Sequence, residues 1–432
     1  MGFLNDFVYF NSGNECPEEF IEWAGLTVIA AVAGRKLWVR HGEYFTIFPN
    51  IYVVLVSEAG SGKSTARNAA KKMIRLVDPE YTVSASFQSH QDIIDTMCNM
   101  MPHTWKDETG QGDGGEAGKI FEYRPFLVSA NELKSLLSTD AKGMVEFLVD
   151  IYDENDFSTG FKTYKKNNPE KKQSFDNPYL CLLACAVPKW FMGELKMDLF
   201  DGGLGRRLLL VYADKTRLID TPVMPPNSEA ALKRMETYLL QLKEAKGELV
   251  RTPEAMAFWK EWYNTPGRKN TDDPILKQFH ETKHIQMLKL SSLLALSENP
   301  LTKTIEKRHL QQALIICNKL EKGVLLLTRG IGRNELAGVG ARVLDFITRS
   351  GGACTKVTLL KMFQREFRLP EFVEQMNHYI QSEQLIVKLD ATTGKEWYFI
   401  PELYQQWLAK NGGINSAPVP VAPSSASTSP AP

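Results

Sequence analysis

Six cysteines in 432 residues, scattered along the chain, exclude a disulfide framework. There is no CxxC pair and no Cys/His spacing of the kind that holds zinc. Only Cys181 and Cys185 stand close together, and all six read as free thiols of a reducing compartment, mostly buried as small hydrophobes. No stretch reaches the ~18 uninterrupted apolar residues of a membrane span. The opening MGFLNDFVYF has no cationic start before an apolar core, so a secretory signal is not expected either. Net charge is missing as well: Lys plus Arg is 51 and Asp plus Glu is 51. Any nucleic-acid contact must then come from local patches. The expectation is a soluble, cytoplasmic protein without a membrane partner. Its 43% hydrophobic content is ample for two or three cored domains.

What is present is a phosphate-binding signature. Ile51–Val56 is an apolar, β-branched run that reads as a buried strand. The small-residue turn Ser57–Gly62 follows, and then a stretch rich in Ala, Lys and Arg, Ala66–Val77, that reads as a helix. Small residues let consecutive backbone N–H groups curl around a polyphosphate, and the helix end adds partial positive charge. In this layout Mg·ATP would be cradled by Ser57, Gly60, Ser61, Gly62, Lys63, Ser64 and Thr65. Lys63 would reach the β- and γ-phosphates, and Ser64 would hold Mg²⁺. The motif is a one-step variant, since Ser57 stands where a glycine is usual.

Hydrolysis needs a carboxylate beside that loop. The apolar strand in FLVSANEL ends in Asn131-Glu132, where phosphate-loop enzymes usually present Asp-Glu. Glu132 serves as the candidate base. Asn131 can hydrogen-bond to a metal-bound water, or cap the helix that follows. Downstream, DGGLGRRLLLVYAD places Arg206 and Arg207 at the start of another strand, and a guanidinium fork suits a phosphate gaining charge. Arg207 is the first candidate for an arginine that serves a neighbouring subunit, with Arg206 in support. Ahead of the fourth strand, Lys162, Lys165, Lys166, Lys171 and Lys172 cluster around Asn167-Asn168-Pro169 with interleaved aromatics. They suggest a hairpin that touches DNA phosphates without reading sequence, or else a solvated loop.

Alternating strands and helices predict an α/β fold with a parallel sheet covered on both faces. The expected order is a helical lead-in (1–48), a phosphate-loop core (49–224), an all-helical lid (225–335) and a helix–helix–helix–hairpin unit (336–410). That last order matches a winged helix-turn-helix. The Gly/Pro/Ala/Ser tail (411–432) is too poor in apolar residues to fold. The third helix of the winged unit carries Glu371, Glu374 and Glu383 with no lysine or arginine. That suits a subunit or partner contact better than base readout.

Taken in order, AAVAGRKLWV, PNIYVVLVSEAGSGKST, FLVSANEL, NPYLCLLACAVPKW and GGLGRRLLLVY resemble the phage- and plasmid-borne P-loop ATPases related to bacterial primase-helicases. More distantly the chain is similar to AAA+ replicative helicases of the superfamily 3 and MCM groups. The resemblance covers about residues 15 to 330. It implies a RecA/AAA+-like P-loop NTPase core and a homo-oligomeric, hexameric ring. It further implies a DNA helicase or replication motor of a mobile element, with ATP hydrolysed at subunit interfaces. The lysine hairpin would be the pore hairpin, Arg207 the arginine finger, and the winged helix a contact for a replication partner. Two other readings stand beside it: an ATP-binding switch or helicase loader with little unwinding, and a winged-helix adaptor with a vestigial ATPase fold. Two departures from the family pattern are Asn131 and a fourth strand ending Ala184-Cys185-Ala186-Val187-Pro188, without Asn or Thr.

Overall fold

The computed structural model describes residues 2–84, 89–110, 117–138, 141–153, 160–165, 168–188, 190, 203–214, 218–265, 274–328, 337–363, 369–411 and 416–417. The chain divides into two compact units, Met1–Thr328 and Arg329–Pro432.

The first unit opens with two helices, α1 (Phe3–Asn11) and α2 (Glu18–Ala33). Pro17 precedes α2, where its missing N–H costs nothing. Nearly every residue of α2 from Phe20 onward is buried, as its all-round apolar sequence requires. The expected short hairpin is formed by β1 (Leu37–His41) and β2 (Phe45–Ile47), paired antiparallel.

The core is a mixed α/β layer built on a parallel sheet. Its strands are β3 (Tyr52–Val56), β4 (Thr82–Val83), β6 (Ile120–Ala130), β9 (Pro178–Ala186) and β10 (Leu208–Tyr212), with β5 (His103–Lys106) antiparallel along the first half of β6. Their spatial order is β10-β3-β9-β6-β4. All five residues of β3 and all nine of β9 are buried, the signature of parallel strands covered on both faces. On one face lie α2 and α3 (Lys63–Val77); on the other lie α5 (Leu133–Ser138) and α6 (Ala141–Tyr152), packed against β9. Between β4 and β5 runs α4 (His90–Asn99), started by a capping box in which Ser89 and Asp92 satisfy each other's backbone N–H.

The structure departs from expectation in places. The third strand begins at Ile120, not Pro125, because β5 pairs with its early half. That hairpin spans the glycine run Gly110–Gly115, most of which lies outside the described residues, as do Ala85 and Ser86 at the end of the expected strand Tyr81–Ser86. The lysine-rich segment forms the hairpin β7 (Gly160–Lys165) and β8 (Asn168–Asp176).

Beyond residue 225 come α7 (Ser228–Glu244), α8 (Pro253–Tyr263), α9 (Pro274–Glu298) and α10 (Lys307–Thr328). This lid is not all-helical: β11 (Gly247–Glu248) pairs with β1, and β12 (Val250–Arg251) pairs with β13 (Thr304–Ile305). The lead-in, core and lid share one continuous hydrophobic core.

The second unit runs α11 (Ala337–Arg349), β14 (Ala353–Thr355), α12 (Lys356–Phe363), α13 (Leu369–Gln381), β15 (Ile386–Asp390), β16 (Glu396–Phe399), α14 (Pro401–Asn411) and β17 (Ser416–Ala417). The expected three helices and hairpin are present, joined by the turn through Thr392-Thr393-Gly394. Strand β14 and helix α14 are additions. Val343, Ile347, Leu359, Phe372 and Met376 form its core. Residues 418–432 of the expected tail lie outside the described set.

One buried polar cluster ties α9 to the amino ends of the strands. Lys289 Nζ donates to Asn50 O at 3.0 Å and to Asn50 Oδ1 at 2.5 Å, and lies 3.9 Å from the Tyr152 ring centroid. Tyr152 Oη donates to Gln286 Oε1 at 3.1 Å, and Tyr52 Oη to Leu148 O at 3.0 Å. Burial brings the Lys289 ammonium down from 10.5 to about 7. Above pH 7 the unfolded chain therefore holds a proton at this position that the folded chain has released. Stability must then rise with pH between about 7 and 10, while below pH 7 both states are protonated and the slope vanishes. Urea titrations from pH 7 to 9 should show this rise in the native protein and lose it in Lys289→Met. Equal slopes for the two proteins would contradict the assignment.

Candidate functional site

Because the five strands are parallel, their carboxyl ends form one edge, where open α/β sheets place their ligand crevice. The loop after β3 opens onto that edge. Gly60 and Gly62 have φ of +80° and +86°, a left-handed conformation that costs a side chain roughly 1–2 kcal/mol. At Gly62 there is a second constraint: a Cβ would lie 2.9 Å from Cys16 Cα, at the start of α2. Gly62 ends the loop and begins α3, accepting from Thr65 N at 2.9 Å and Ala66 N at 3.3 Å. No side chain caps this helix start, so its first N–H groups are directed at the crevice and suit an anion.

Lys63 is 9% exposed and folded into the loop it follows. Its Nζ donates to Ser57 O at 2.6 Å, Glu58 O at 2.7 Å and Ser61 Oγ at 3.2 Å. Desolvation lowers its pKa, against the opposing pull of Cys185, Glu58 and Glu132. Ser57 is buried, and its N–H donates to Ala186 O at 3.3 Å, which fastens the loop to the end of β9. Ser64 and Thr65 are exposed on the first turn of α3.

Strand β6 ends two positions before Glu132. Asn131 and Glu132 are both exposed at the same edge. The first helical bonds of α5 return to Glu132 O, from Ser135 N at 3.2 Å and Leu136 N at 3.4 Å. Glu132 rather than Asn131 thus occupies the cap position, and its carboxylate acts electrostatically on Lys63. Strand β9 lies between β3 and β6, so the loop and the carboxylate are separated by one strand, about 5 Å per interval. That spacing leaves room for a phosphate and a water.

Two residues here were missed in the sequence. Cys185 lies at the end of β9, and burial pushes its thiol up to about 11 while Arg67, Lys63 and Glu132 all act on it. Arg67 is 4% exposed. Its Nη1 reaches Ser129 O and its Nη2 Asn68 Oδ1, both at 3.4 Å. The available signal was its spacing, four residues beyond Lys63 and hence on the same helix face.

The arginine pair sits at the opposite edge. Leu208 pairs with Tyr52, and Val56 precedes the loop; the intervening strand is about 13 Å long. Neither arginine can serve its own loop. Arg207, expected to be presented outward, is 3% exposed and committed within its own chain. Its guanidinium forms a bidentate pair with half-exposed Asp153, Nε meeting Oδ1 at 3.2 Å and Nη2 meeting Oδ2, and Nη1 donates to Gly203 O at 2.5 Å. Arg206 is half-buried, and among the described residues its Nε has no acceptor. The backbone is held by α9: Thr282 Oγ1 donates to Arg206 O at 2.8 Å and Gln286 Nε2 to Arg207 O at 3.4 Å.

Lys162, Lys165, Lys171 and Lys172 lie on the strands of the β7–β8 hairpin, and Lys166 falls outside the described residues. The hairpin rises where β8 meets β9, at the amino edge, and α4 braces it: Gln91 Nε2 donates to Gln173 Oε1 at 2.5 Å, and Gln173 Nε2 to Asp95.

Beside Thr65 opens a cavity of about 650 Å³ lined by Phe7, Phe10, Asn14, Asn68, Met73 and Met224, among others. It has the size and apolar lining of a small-molecule site. For Mg²⁺ the donors fit in one respect: Ser64, Asn131 and Glu132 are hard oxygen groups at the crevice. No cluster of three or more His, Cys, Asp or Glu is found among the described residues, so the ion would rely on phosphate and water for most of its shell. All six cysteines are free. Among the described residues no helix is long and apolar enough to cross a membrane. No family model matches the chain, and no curated protein matches it.

Both loop glycines resist substitution, but unequally. A Cβ at Gly60 meets nothing within 4 Å, whereas at Gly62 it meets the backbone of Cys16. Gly60→Ala should cost about 1 kcal/mol and Gly62→Ala roughly 2–3 kcal/mol in urea unfolding. Equal costs would show that the Cys16 contact yields freely.

Proposed function

We propose that this chain is a P-loop ATPase that works on DNA as an oligomer, a helicase or replication motor of the kind carried by mobile elements. The observation that carries the reading is the uncapped start of α3, reached through two left-handed glycines, with Lys63 beside it and Glu132 one strand away. The triphosphate lies along the loop from Ser57 to Thr65, its charge met by the α3 backbone and Lys63. To engage phosphate, Lys63 exchanges its bonds to Ser57 O, Glu58 O and Ser61 Oγ for phosphate oxygens. The nucleoside enters the cavity beyond Thr65, between Phe10, Asn14 and Asn68. Glu132 is the base that orients and deprotonates the attacking water. Mg²⁺, bound through Ser64 and the phosphates, with Asn131 touching its water shell, would neutralise charge on the β- and γ-oxygens.

The trans-acting arginine in this reading is Arg206, since Arg207 is spent on Asp153. The lysine hairpin supplies phosphate contacts to DNA, and the second unit, read as a winged helix, takes a protein partner. A switch or loader stands as the second reading. Asn131 favours it, because Glu132 is then the one carboxylate at the end of β6.

Lys63→Ala should abolish nucleotide binding and ATPase activity together. Glu132→Gln should lower kcat by about 10²–10⁴ with nucleotide affinity held within a few-fold. A Glu132→Gln protein that hydrolyses ATP normally would remove the base assignment. Single-stranded DNA should stimulate the wild-type ATPase in the motor reading, and no stimulation would leave the switch.

The two arginines separate by stability. Arg206→Ala should fold like wild type yet lose turnover, while Arg207→Ala should unfold at lower urea by about 2 kcal/mol, below the cost of a fully buried pair because Asp153 reaches solvent. Arg206→Ala and Lys63→Ala proteins should recover activity on mixing, because a mixed interface joins an intact loop to an intact arginine. No recovery would rule out action in trans.

A further inference from the structure

Among the described residues, Arg67 is a buried cation with no anionic partner. Its guanidinium stays charged at any working pH. Its two hydrogen bonds are long, at 3.4 Å, against the usual 2.7–3.2 Å. Its Nε has no acceptor among the described residues, and no carboxylate pairs with it there. Its charged neighbours along α3 are of the same sign. Lys63, Arg67 and Lys71 follow one another at four-residue steps along one face of α3, an arrangement that repels. Arg67 and Arg75 both lower the pKa of Lys71, after desolvation. Ser129, whose carbonyl receives Nη1, has a buried Oγ without a partner among the described residues. Cys185, which acts on Arg67, is buried and stays a neutral thiol near neutrality.

A charge left this way costs stability unless something supplies its counter-charge. The same Cys185 that feels Arg67 also feels Lys63 and Glu132, so the four groups share one crevice between the ends of β6 and β9. A side chain on a helix leans toward the helix N-terminus, which here is the phosphate loop. Strand β9 brings no Asn or Thr to this edge, only Cys185 and Ala186.

We propose that Arg67 is the residue by which this chain distinguishes a nucleoside triphosphate from a diphosphate, the terminal phosphate providing the negative charge that Arg67 lacks. The proposal rests on the phosphate-loop reading and extends it: Lys63 and the α3 backbone hold any nucleotide, and Arg67 responds to the third phosphate.

The test is calorimetric titration of wild type, Arg67→Met and Arg67→Lys with ADP and with a nonhydrolysable ATP analogue, together with urea unfolding of each protein without nucleotide. Arg67→Met should weaken analogue binding about tenfold or more relative to its effect on ADP, and Arg67→Lys should restore most of the difference. Without nucleotide, Arg67→Met should be as stable as wild type or more so, because an uncompensated charge has been removed. Parallel loss of both affinities, no loss of either, or a destabilised or unfolded Arg67→Met whose Arg67→Lys counterpart binds both nucleotides as wild type does would overturn the proposal and leave Arg67 a packing residue. Wild-type protein that binds neither nucleotide would instead overturn the phosphate-loop reading itself.

Discussion

Lys63 can be buried at the end of a hydrophobic sheet because the loop before it turns its own oxygens inward. Two carbonyls and a hydroxyl replace the water that the ammonium gives up, and that geometry is open only to a chain that enters two left-handed residues in quick succession. Everything at the carboxyl edge follows from this bend. It sets the direction of α3, leaves the first turn of α3 without a cap, and brings Cys16 against Gly62. It also places the next turn of α3, with Arg67, over the end of β6. A loop that solvates its own lysine in this way is ready to exchange those bonds for phosphate oxygens of equal or greater strength.

The two edges of the sheet have different physical characters. At the carboxyl edge Lys63 and Arg67 are buried, and the exposed Glu132 acts on Lys63. At the amino edge Arg207 is paired with Asp153, and Lys289 is held by the neutral Asn50 over the face of Tyr152. Helix α9 reaches that second edge at the starts of β10 and β3, through Thr282, Gln286 and Lys289. Its contacts are made to backbone carbonyls as much as to side chains, so it fixes where the strands begin rather than what they carry. The lysine hairpin leaves the sheet at the same edge, braced through Gln173 to α4.

Much of this was legible because the decisive features are local. The run Ile51–Val56, the glycines after it and the alternation of strands and helices each depend on a few neighbouring residues, and five parallel strands appear, with bounds that differ from the expected ones at β4 and β6. The antiparallel β14–β16 pairing and strand β5 were not legible, since β5 is a polar four-residue segment whose strand character comes from pairing with β6. Asn131 reads in sequence as a helix cap, yet the backbone gives that position to Glu132, one residue on. A shift of one residue is beyond the resolution of composition and period.

The arginine pair shows why charge alone does not assign a role. Arg206 and Arg207 are adjacent, follow the same glycine turn and carry the same group; the sequence favoured Arg207, but it does not tell which guanidinium is committed within the chain. The backbone does. A strand alternates its side chains, and the 3₁₀ turn Gly205–Arg207 that feeds β10 turns Arg207 inward, where Gly203 O and Asp153 await it. Arg206 then faces the other way with its carbonyl pinned by Thr282. Arg207 therefore closes the amino edge, while Arg206 Nε has no acceptor among the described residues. Asp153 reaches this arrangement from just beyond α6, 54 positions from Arg207 in the chain, so the contact that commits Arg207 is not a local one.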